Sequence, residues 1–147
     1  MDVAVRPATP ADDGRIDELA SAAIAEQAEG RGGSVWSRRE GLARPTAPGD
    51  GTTFVGAIDD AVVGFASVGV EALSDGALLG VVYAIFVERG AREVAVGEAL
   101  LDAALDWCRE RGCVGVDAHA LPGSRETKNF FETFGMTARL IVVHRAL

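Results

Sequence analysis

An arginine, an alanine and a glycine stand at the start of an amphipathic stretch, in the order Arg92-x-x-Ala95-x-Gly97. Small residues at such a point let a phosphate group approach the backbone, and the unpaired N–H groups of a helix start attract anions. Arg92 adds a nearby cation. The pattern predicts a pyrophosphate-binding loop; the alternative is a solvated helix start of the same composition.

Four side chains on the predicted central strands are candidates for a general base: Glu71, Tyr83, Asp117 and His119. Asp117 and His119 lie two residues apart, so a strand places them on one face, where the carboxylate could orient the imidazole. We take His119, Glu71 and Tyr83 as the candidate catalytic residues. The alternative for each is a place in the core or at its rim.

Hydrophobic periodicity and turn signals predict the elements that position these residues. A first helix is predicted from the N-cap Thr9 to near Gly30, with Pro10 in its first turn. Further helices are predicted at 94–111, closed by Gly112, and at 124–134, capped by Ser124 and closed by Gly135. Strands are predicted at 3–7, 52–58, 62–73, 77–87, 114–120 and 137–145, with the turn-prone pair Asp59-Asp60 between the second and third.

This order of elements predicts an α/β (α+β mixed) fold in which a central mixed sheet carries helices on both faces. The chain shows no internal repeat or composition shift, so we expect a single domain over residues 1–147. Residues 30–51 are rich in Gly, Pro and charge, with at most a short helix around 36–42. Such a long connection is either a mobile substrate lid or partly disordered.

Charge and cysteine content exclude several classes of function. The net charge of −8 argues against nucleic-acid and anionic-membrane surfaces, because both require a basic patch. Cys108 and Cys113 are too few for a disulfide framework, and no Cys/His spacing is typical of a metal site. The first ten residues lack the pattern of a signal peptide, and no apolar run is long enough to span a bilayer. We expect a soluble cytoplasmic protein.

The long apolar strand followed by Arg-x-x-Ala-x-Gly and a helix resembles the GNAT superfamily of acyl-CoA-dependent N-acyltransferases. In that family the loop has the form Gln/Arg-x-x-Gly-x-Gly/Ala, and its backbone amides hold the CoA pyrophosphate. The stretches "VRPATPADD" and "FVGAIDDAVVGFASV" are similar to the family's first strand with its helix start and to its second and third strands. "TKNFFETFGMTARL" resembles its later motif, aromatic-Tyr-Glu-x-x-Gly-Phe.

The resemblance implies acetyl-CoA as cosubstrate and a set of contacts to it. In the family a backbone N–H of the strand before the loop holds the thioester carbonyl where adjoining strands splay apart, here around Phe86 and Val87. Phe131 stands where many members carry a tyrosine whose phenol protonates the departing thiolate, and Ser124 stands near a cofactor-contacting asparagine. The implied contacts are Phe86, Val87, Arg92, Glu93, Val94, Ala95, Val96, Gly97, Glu98, Ser124 and Phe131.

Two functions follow as expectations. The first is an N-acetyltransferase that acts on the amine of a small molecule or peptide, with the acceptor pocket in residues 30–51 and 71–76. The second is a GNAT-fold module that binds an acyl-CoA, or serves as an interaction unit, without catalysis. Phe131, which has no phenol, favours the second, as do Glu93 and Glu98 beside a dianionic ligand. A homodimer is left open as the assembly.

Overall fold

Five strands form one sheet in the computed structural model, which describes residues 2–39, 51–92 and 95–147. The strands are β1 (Val3–Pro7), β2 (Thr52–Ile58), β3 (Ala61–Ala72), β4 (Leu78–Val87) and β5 (Gly115–Ala118), and they lie in chain order across the sheet. Neighbouring strands are antiparallel except for β4 and β5, which are parallel. The predicted mixed sheet is confirmed.

The described residues form four α-helices beside the sheet: α1 (Asp13–Ala28), α2 (Gly33–Arg39), α3 (Val96–Glu110) and α4 (Arg125–Thr133). Ile16 of α1 packs with Phe65, whereas Leu100 of α3 packs with the next residue of β3, Ala66. Successive strand residues point to opposite faces, so α1 and α3 cover opposite faces of the sheet, as predicted. Within the described ranges, no helix is both long and apolar enough to cross a membrane.

An ion pair fixes the start of α1. The buried carboxylate of Asp12 accepts hydrogen bonds from two nitrogens of Arg6, at 2.7 and 2.9 Å, and from the backbone N–H of Thr9 at 2.8 Å. The Arg6 guanidinium and the Thr9 N–H hold the pKa of Asp12 well below its usual range, because both bind the charged form. A 3-10 turn at Pro10–Asp12 then leads directly into the helix.

Turns follow the local signals in the sequence. Asp59 and Asp60 both have positive φ, at 47° and 71°, as a tight two-residue hairpin turn requires. Gly112 and Gly135 have φ of 71° and 78° just after α3 and α4, which confirms them as the residues that close these helices.

Two glycines let α3 lie close to the sheet. A Cβ on Gly56 would stand 2.6 Å from Cγ1 of Val96, and one on Gly80 would stand 2.4 Å from Sγ of Cys108. Both distances are far shorter than real carbon contacts, so any side chain at either position would push the helix away. The close packing of α3 therefore depends on glycine at both places.

The prediction of a last strand at 137–145 is wrong, because these residues pair with no described strand. Leu140, Ile141, Val142 and Val143 are 71–90% exposed, although their types favour a strand. A strand needs a partner, and residues 137–147 contact β5 through the side chain of Arg139. β5 is also shorter than predicted. The expected short helix around 36–42 corresponds to α2, and residues 40–50 of the proposed lid lie outside the described residues.

Candidate active site

The parallel strands β4 and β5 separate halfway along β4. Their pairing runs from Leu79 opposite Gly115 to Val82 opposite Ala118, while β4 continues to Val87. On its other side β4 carries an extra residue, since Val82 and Ala84 pair with the consecutive residues Val68 and Ser67 of β3. The extra residue is Tyr83. A β-bulge of this kind bends the strand and re-aims side chains. On the β5 side, no described strand pairs with β4 beyond Val82.

A cleft lies at this separation. Its lining comes from β4, from the residues after β5, from α4, and from α1 and α2: Val82, Tyr83, Ala84, Ile85, His119, Leu121, Thr127, Phe131, Gln27 and Trp36. The indole N–H of Trp36 is buried and has no hydrogen-bond partner among the described residues. The cleft thus combines an apolar wall with a few polar groups, as small-molecule sites do.

Tyr83, which lines the cleft, forms a hydrogen bond with Glu71 of β3. The Tyr83 hydroxyl donates to a Glu71 carboxylate oxygen at 3.0 Å. Burial, and then the neighbouring carboxylate, raise the pKa of Tyr83 to about 12, so the phenol is protonated at neutral pH. The structure brings together two of the three candidate catalytic residues.

The third candidate, His119, makes no described hydrogen bond to Asp117, the carboxylate expected to orient it. His119 is exposed, one residue beyond the end of β5, and lines the cleft. Asp117 instead binds Arg139, with Nε donating to Oδ1 at 2.8 Å and Nη2 to Oδ2. The hydrogen bonds from Arg139 lower the pKa of Asp117, and the nearby His119 lowers it further through its charge. Asp117 and His119 are therefore neighbours, but the described hydrogen bonds of Asp117 go to Arg139.

The start of α3 presents backbone N–H groups. Among the bonds between described residues, the first at this end runs from the Ala99 N–H to the Ala95 carbonyl at 3.1 Å, so the N–H groups of Val96, Gly97 and Glu98 have no described acceptor. Ala95 has φ of −64°, so its methyl group causes no strain where glycine was expected. Glu93 and Val94 lie outside the described residues.

Side chains of this loop point in different directions. Val96 is fully buried against the sheet, so only its backbone can face an anion. Glu98 is exposed. A Cβ on Gly97 would lie 3.4 Å from the Phe130 ring of α4, in ordinary contact. A methyl group at Gly97 would therefore fit against α4, so the packing of the two helices does not require glycine there.

Arg92 is committed to other groups of the chain. Its guanidinium donates to both carboxylate oxygens of Glu26 in α1, at 2.9 and 2.7 Å, and to the Val87 carbonyl at 2.7 Å. It also lies 5.3 Å from the centre of the Phe86 ring. Arg92 lowers the pKa of Glu26 by hydrogen bonding to its charged form. Arg92, which was predicted to face a pyrophosphate, therefore links the end of β4 to α1.

The sequence contains a signal that Glu26 has a cationic partner. Ile16, Leu19 and Ala23 are the buried stripe of α1, and Glu26 continues it three residues later. A charged residue on a buried stripe indicates a partner of opposite charge. Gln27, Trp36 and Thr127 had no such signal, because their place in the cleft depends on the packing of distant elements.

The predicted contacts in the later motif lie close to the cleft. Phe131 is buried, lines the cleft and packs edge-on against Phe130, with ring centres 5.5 Å apart. Ser124 precedes α4, but its hydroxyl donates to Oγ1 of Thr127 at 2.6 Å and makes no cap hydrogen bond, contrary to the prediction. Thr127 lines the cleft, so Ser124 positions a cleft hydroxyl.

Comparison with known proteins agrees with this geometry. The family model described as the acetyltransferase (GNAT) family matches residues 28–136. No curated protein sequence matches the chain. Among solved structures, a putative acetyl transferase from Pyrococcus furiosus is 18% identical with a TM-score of 0.74, over 99% of this chain and 100% of that one.

Two further solved structures, both named acetyltransferases, have the same fold. Glucosamine-6-phosphate N-acetyltransferase from Arabidopsis thaliana is 19% identical with a TM-score of 0.68, over 99% of each chain. Ribosomal-protein-alanine N-acetyltransferase from Brucella melitensis is 18% identical with a TM-score of 0.73, also over 99% of each chain. Since the family model covers most of the chain, this protein belongs to the GNAT family of acetyltransferases.

Proposed function

We propose that the chain transfers an acetyl group from acetyl-CoA to an amine bound in the cleft between β4 and β5. The observation that carries this proposal is the separation of these strands after Val82, shortly before α3 begins at Val96. An open strand edge can pair with amides, and a helix start can bind phosphates. Acetyl-CoA carries both kinds of group, together with an activated thioester carbonyl.

The described residues fit this cosubstrate. The N–H groups of Val96, Gly97 and Glu98 would hold the pyrophosphate, with Ala95 leaving the approach open. Along β4 beyond Val82, alternate residues direct their N–H and C=O groups to the open edge, where they would hold the amides and the thioester carbonyl. Because the pairing with β5 ends at Val82, the open edge begins at Tyr83. The thioester carbonyl would lie near Tyr83, several residues before the position around Phe86 and Val87 that the family resemblance implies.

Tyr83 and Glu71 are the groups we assign to proton removal. Transfer forms a bond between the amine nitrogen and the acetyl carbon and breaks the carbon–sulfur bond, so the amine must lose a proton. The Tyr83 oxygen would take that proton while its own passes to Glu71, along the hydrogen bond already present. Because the phenol gives one proton as it takes another, no free phenolate is needed. Glu71 is exposed and would release the proton to water.

The departing thiolate needs little help. A free thiol has a pKa of about 8.5, so the thiolate is a tolerable leaving group near neutral pH. Phe131 can line its path without donating a proton. His119, exposed at the other wall, is a second place where the amine's proton could go.

This function is tested by measuring the release of free CoA with a thiol reagent. The acceptors are an amino sugar phosphate, an aminoglycoside and a peptide with an N-terminal alanine. These are the acceptor types named for structural neighbours. Tyr83→Phe should lower kcat by about 10² to 10⁴ and leave acetyl-CoA affinity unchanged. Glu71→Gln keeps an acceptor but cannot take the proton, so kcat should fall too. Glu110→Gln, at an exposed glutamate at the far end of α3, is the control. Unchanged kcat in both cleft variants would contradict the assignment.

A non-catalytic acyl-CoA-binding module is the second candidate. One observation favours it: Phe131 has no acidic proton to give to a departing thiolate. This candidate predicts that acetyl-CoA raises the melting temperature while no amine releases CoA, in the wild type or in Phe131→Tyr.

A further inference from the structure

A buried hydrogen-bond donor beside the cleft has no described acceptor. Trp36 of α2 packs on the core cluster that includes Ala84 of β4, and it lines the cleft. Its indole nitrogen Nε1 is shielded from water and makes no hydrogen bond with a described residue. Native proteins pair nearly all such buried donors. A molecule bound in the cleft is therefore a natural source of the missing acceptor oxygen.

Two further polar groups of the cleft can bind the same kind of atom. The Thr127 hydroxyl accepts a hydrogen bond from Ser124, so its own proton is available for another acceptor. Gln27 contributes a carboxamide, whose NH₂ group is a donor. Together with the Trp36 indole, these groups make the described walls of the cleft complementary to a hydrogen-bond acceptor.

Charge around the cleft disfavours an anion as that acceptor. The described lining residues include no lysine, arginine, aspartate or glutamate, and among them only His119 can become a cation. Glu71 brings a carboxylate to the Tyr83 hydroxyl, and the whole chain has a net charge of −8. A carboxylate or phosphate in this cleft would lose its water without gaining a fixed cation, whereas an uncharged oxygen needs only a donor.

We infer that the acetyl acceptor carries an uncharged carbonyl or hydroxyl oxygen beside its amine, and that the Trp36 indole N–H donates a hydrogen bond to this oxygen. The inference rests on the proposed function, because it takes the cleft as the acceptor site. Nε1 is shielded in the free protein, so the oxygen reaches it through a small shift of α2, a helix of only seven residues. Trp36 thus selects amino amides and amino alcohols over amino acids with a free carboxylate and over amino sugar phosphates.

Nuclear magnetic resonance tests this contact without relying on catalysis. The chain has two tryptophans, so a proton–nitrogen correlation spectrum contains two indole N–H signals, and Trp36→Phe identifies that of Trp36. Alaninamide, added with CoA in place of acetyl-CoA, should move the Trp36 proton signal downfield, because a hydrogen bond deshields the indole proton. Trp107, buried in the core contact of α3, is the internal control and should not move.

A matched amine without the oxygen measures the contribution of the hydrogen bond. In 1,2-dimethylpropylamine an isopropyl group replaces the carboxamide of alaninamide, so the two amines have nearly the same shape. The wild type should bind alaninamide about tenfold more tightly, since the oxygen-free amine leaves the buried N–H unpaired. In Trp36→Phe the two affinities should agree to within about threefold, because the lost ring volume affects both amines alike. Alanine, with its carboxylate, should bind the wild type about tenfold more weakly than alaninamide.

Three results would overturn the inference: an unmoved Trp36 signal with both alaninamide and glucosamine, an equal shift with 1,2-dimethylpropylamine, or tighter binding of alanine than of alaninamide. Release of CoA from acetyl-CoA is measured separately. An amine that moves the Trp36 signal but receives no acetyl group would refute the proposed function and leave the hydrogen bond established. Acetyl transfer to alaninamide without a shift of the Trp36 signal would refute the role of Trp36 alone.

Discussion

Replacing Arg92 with alanine should destabilise the protein more than it weakens acetyl-CoA binding. Arg92 forms two hydrogen bonds to Glu26 and one to the Val87 carbonyl, and its guanidinium lies over Phe86. Arg92→Ala removes all of these and leaves Glu26 with the weaker ion pair to Arg89, whose Nε lies 3.9 Å from Oε2. The resemblance to the family assigns the same arginine to the pyrophosphate, so this variant separates a structural role from a binding role.

The magnitude follows from the burial of the pair. The side chains of Arg92 and Glu26 are 26% and 31% exposed, so their coupling lies between that of exposed and buried pairs, at about 1–2 kcal/mol. Stacking on Phe86 adds about 0.5–1 kcal/mol. We expect a total loss of about 2–3 kcal/mol, which lowers the melting temperature of a domain of this size by roughly 8 °C. Arg109→Ala, at a pair with Asp106 that is 70% and 68% exposed, is the control and should cost under about 0.5 kcal/mol.

Urea unfolding of Arg92→Ala, Glu26→Ala and the double variant measures the coupling directly. Arg92 lowers the pKa of Glu26, so this stabilisation is present above the pKa of an unfolded glutamate, about 4.3, and is lost as the pH falls through the lower folded value. Calorimetric titration gives acetyl-CoA affinity. Zero coupling, unchanged stability and abolished binding in Arg92→Ala would refute this reasoning, because Arg92 would then serve the ligand.

Three further predictions concern the cleft, α3 and α1. Phe131→Tyr should raise kcat for CoA release if its hydroxyl reaches the thiolate, and acetyl-CoA affinity should stay nearly constant; a slower variant would show that the thiolate leaves elsewhere. Gly80→Ala should lower the free energy of unfolding by about 1–3 kcal/mol through its clash with Cys108. Urea unfolding should show a smaller loss when Cys108→Ala removes the sulfur. Additive losses in the double variant would place the strain elsewhere. Asp12→Ala should cost about 2–3 kcal/mol at neutral pH. That cost should shrink as acid protonates Asp12 in the wild type, because its folded pKa is depressed; a pH-independent cost would contradict this.

The sheet could be predicted to within a residue or two where its signals are local. The hairpin of β2 and β3 is set by alternating side chains and by Asp59-Asp60, and Gly112 and Gly135 mark helix ends by their positive φ. The prediction of the last strand was wrong because residue types indicate a preference for a strand but not whether a second strand is available to pair with it. Residues 140–143 have strong strand formers and pair with no described strand.

The candidate site was predictable in part, because its residues come from distant parts of the chain. The family resemblance indicated the loop before α3 and the aromatic motif of α4. It could not indicate that Glu26 forms an ion pair with Arg92, since the two are 66 residues apart in the sequence. Nor could strand spacing show that the Asp117 carboxylate binds Arg139, because that contact depends on the path of the chain after α4.

The order of the strands has a consequence for how the cleft assembles during folding. β2, β3 and β4 follow one another through short turns, so residues 52–87 can form a meander from local contacts. β1 and β5 are added across long stretches of chain, and such non-local pairings form slowly. The cleft is bounded by α1 and α2 on one flank and by β5 and α4 on the other. We therefore expect both walls to form after the central meander, so that a partly folded chain with protected amides in β2, β3 and β4 has no site for its substrates.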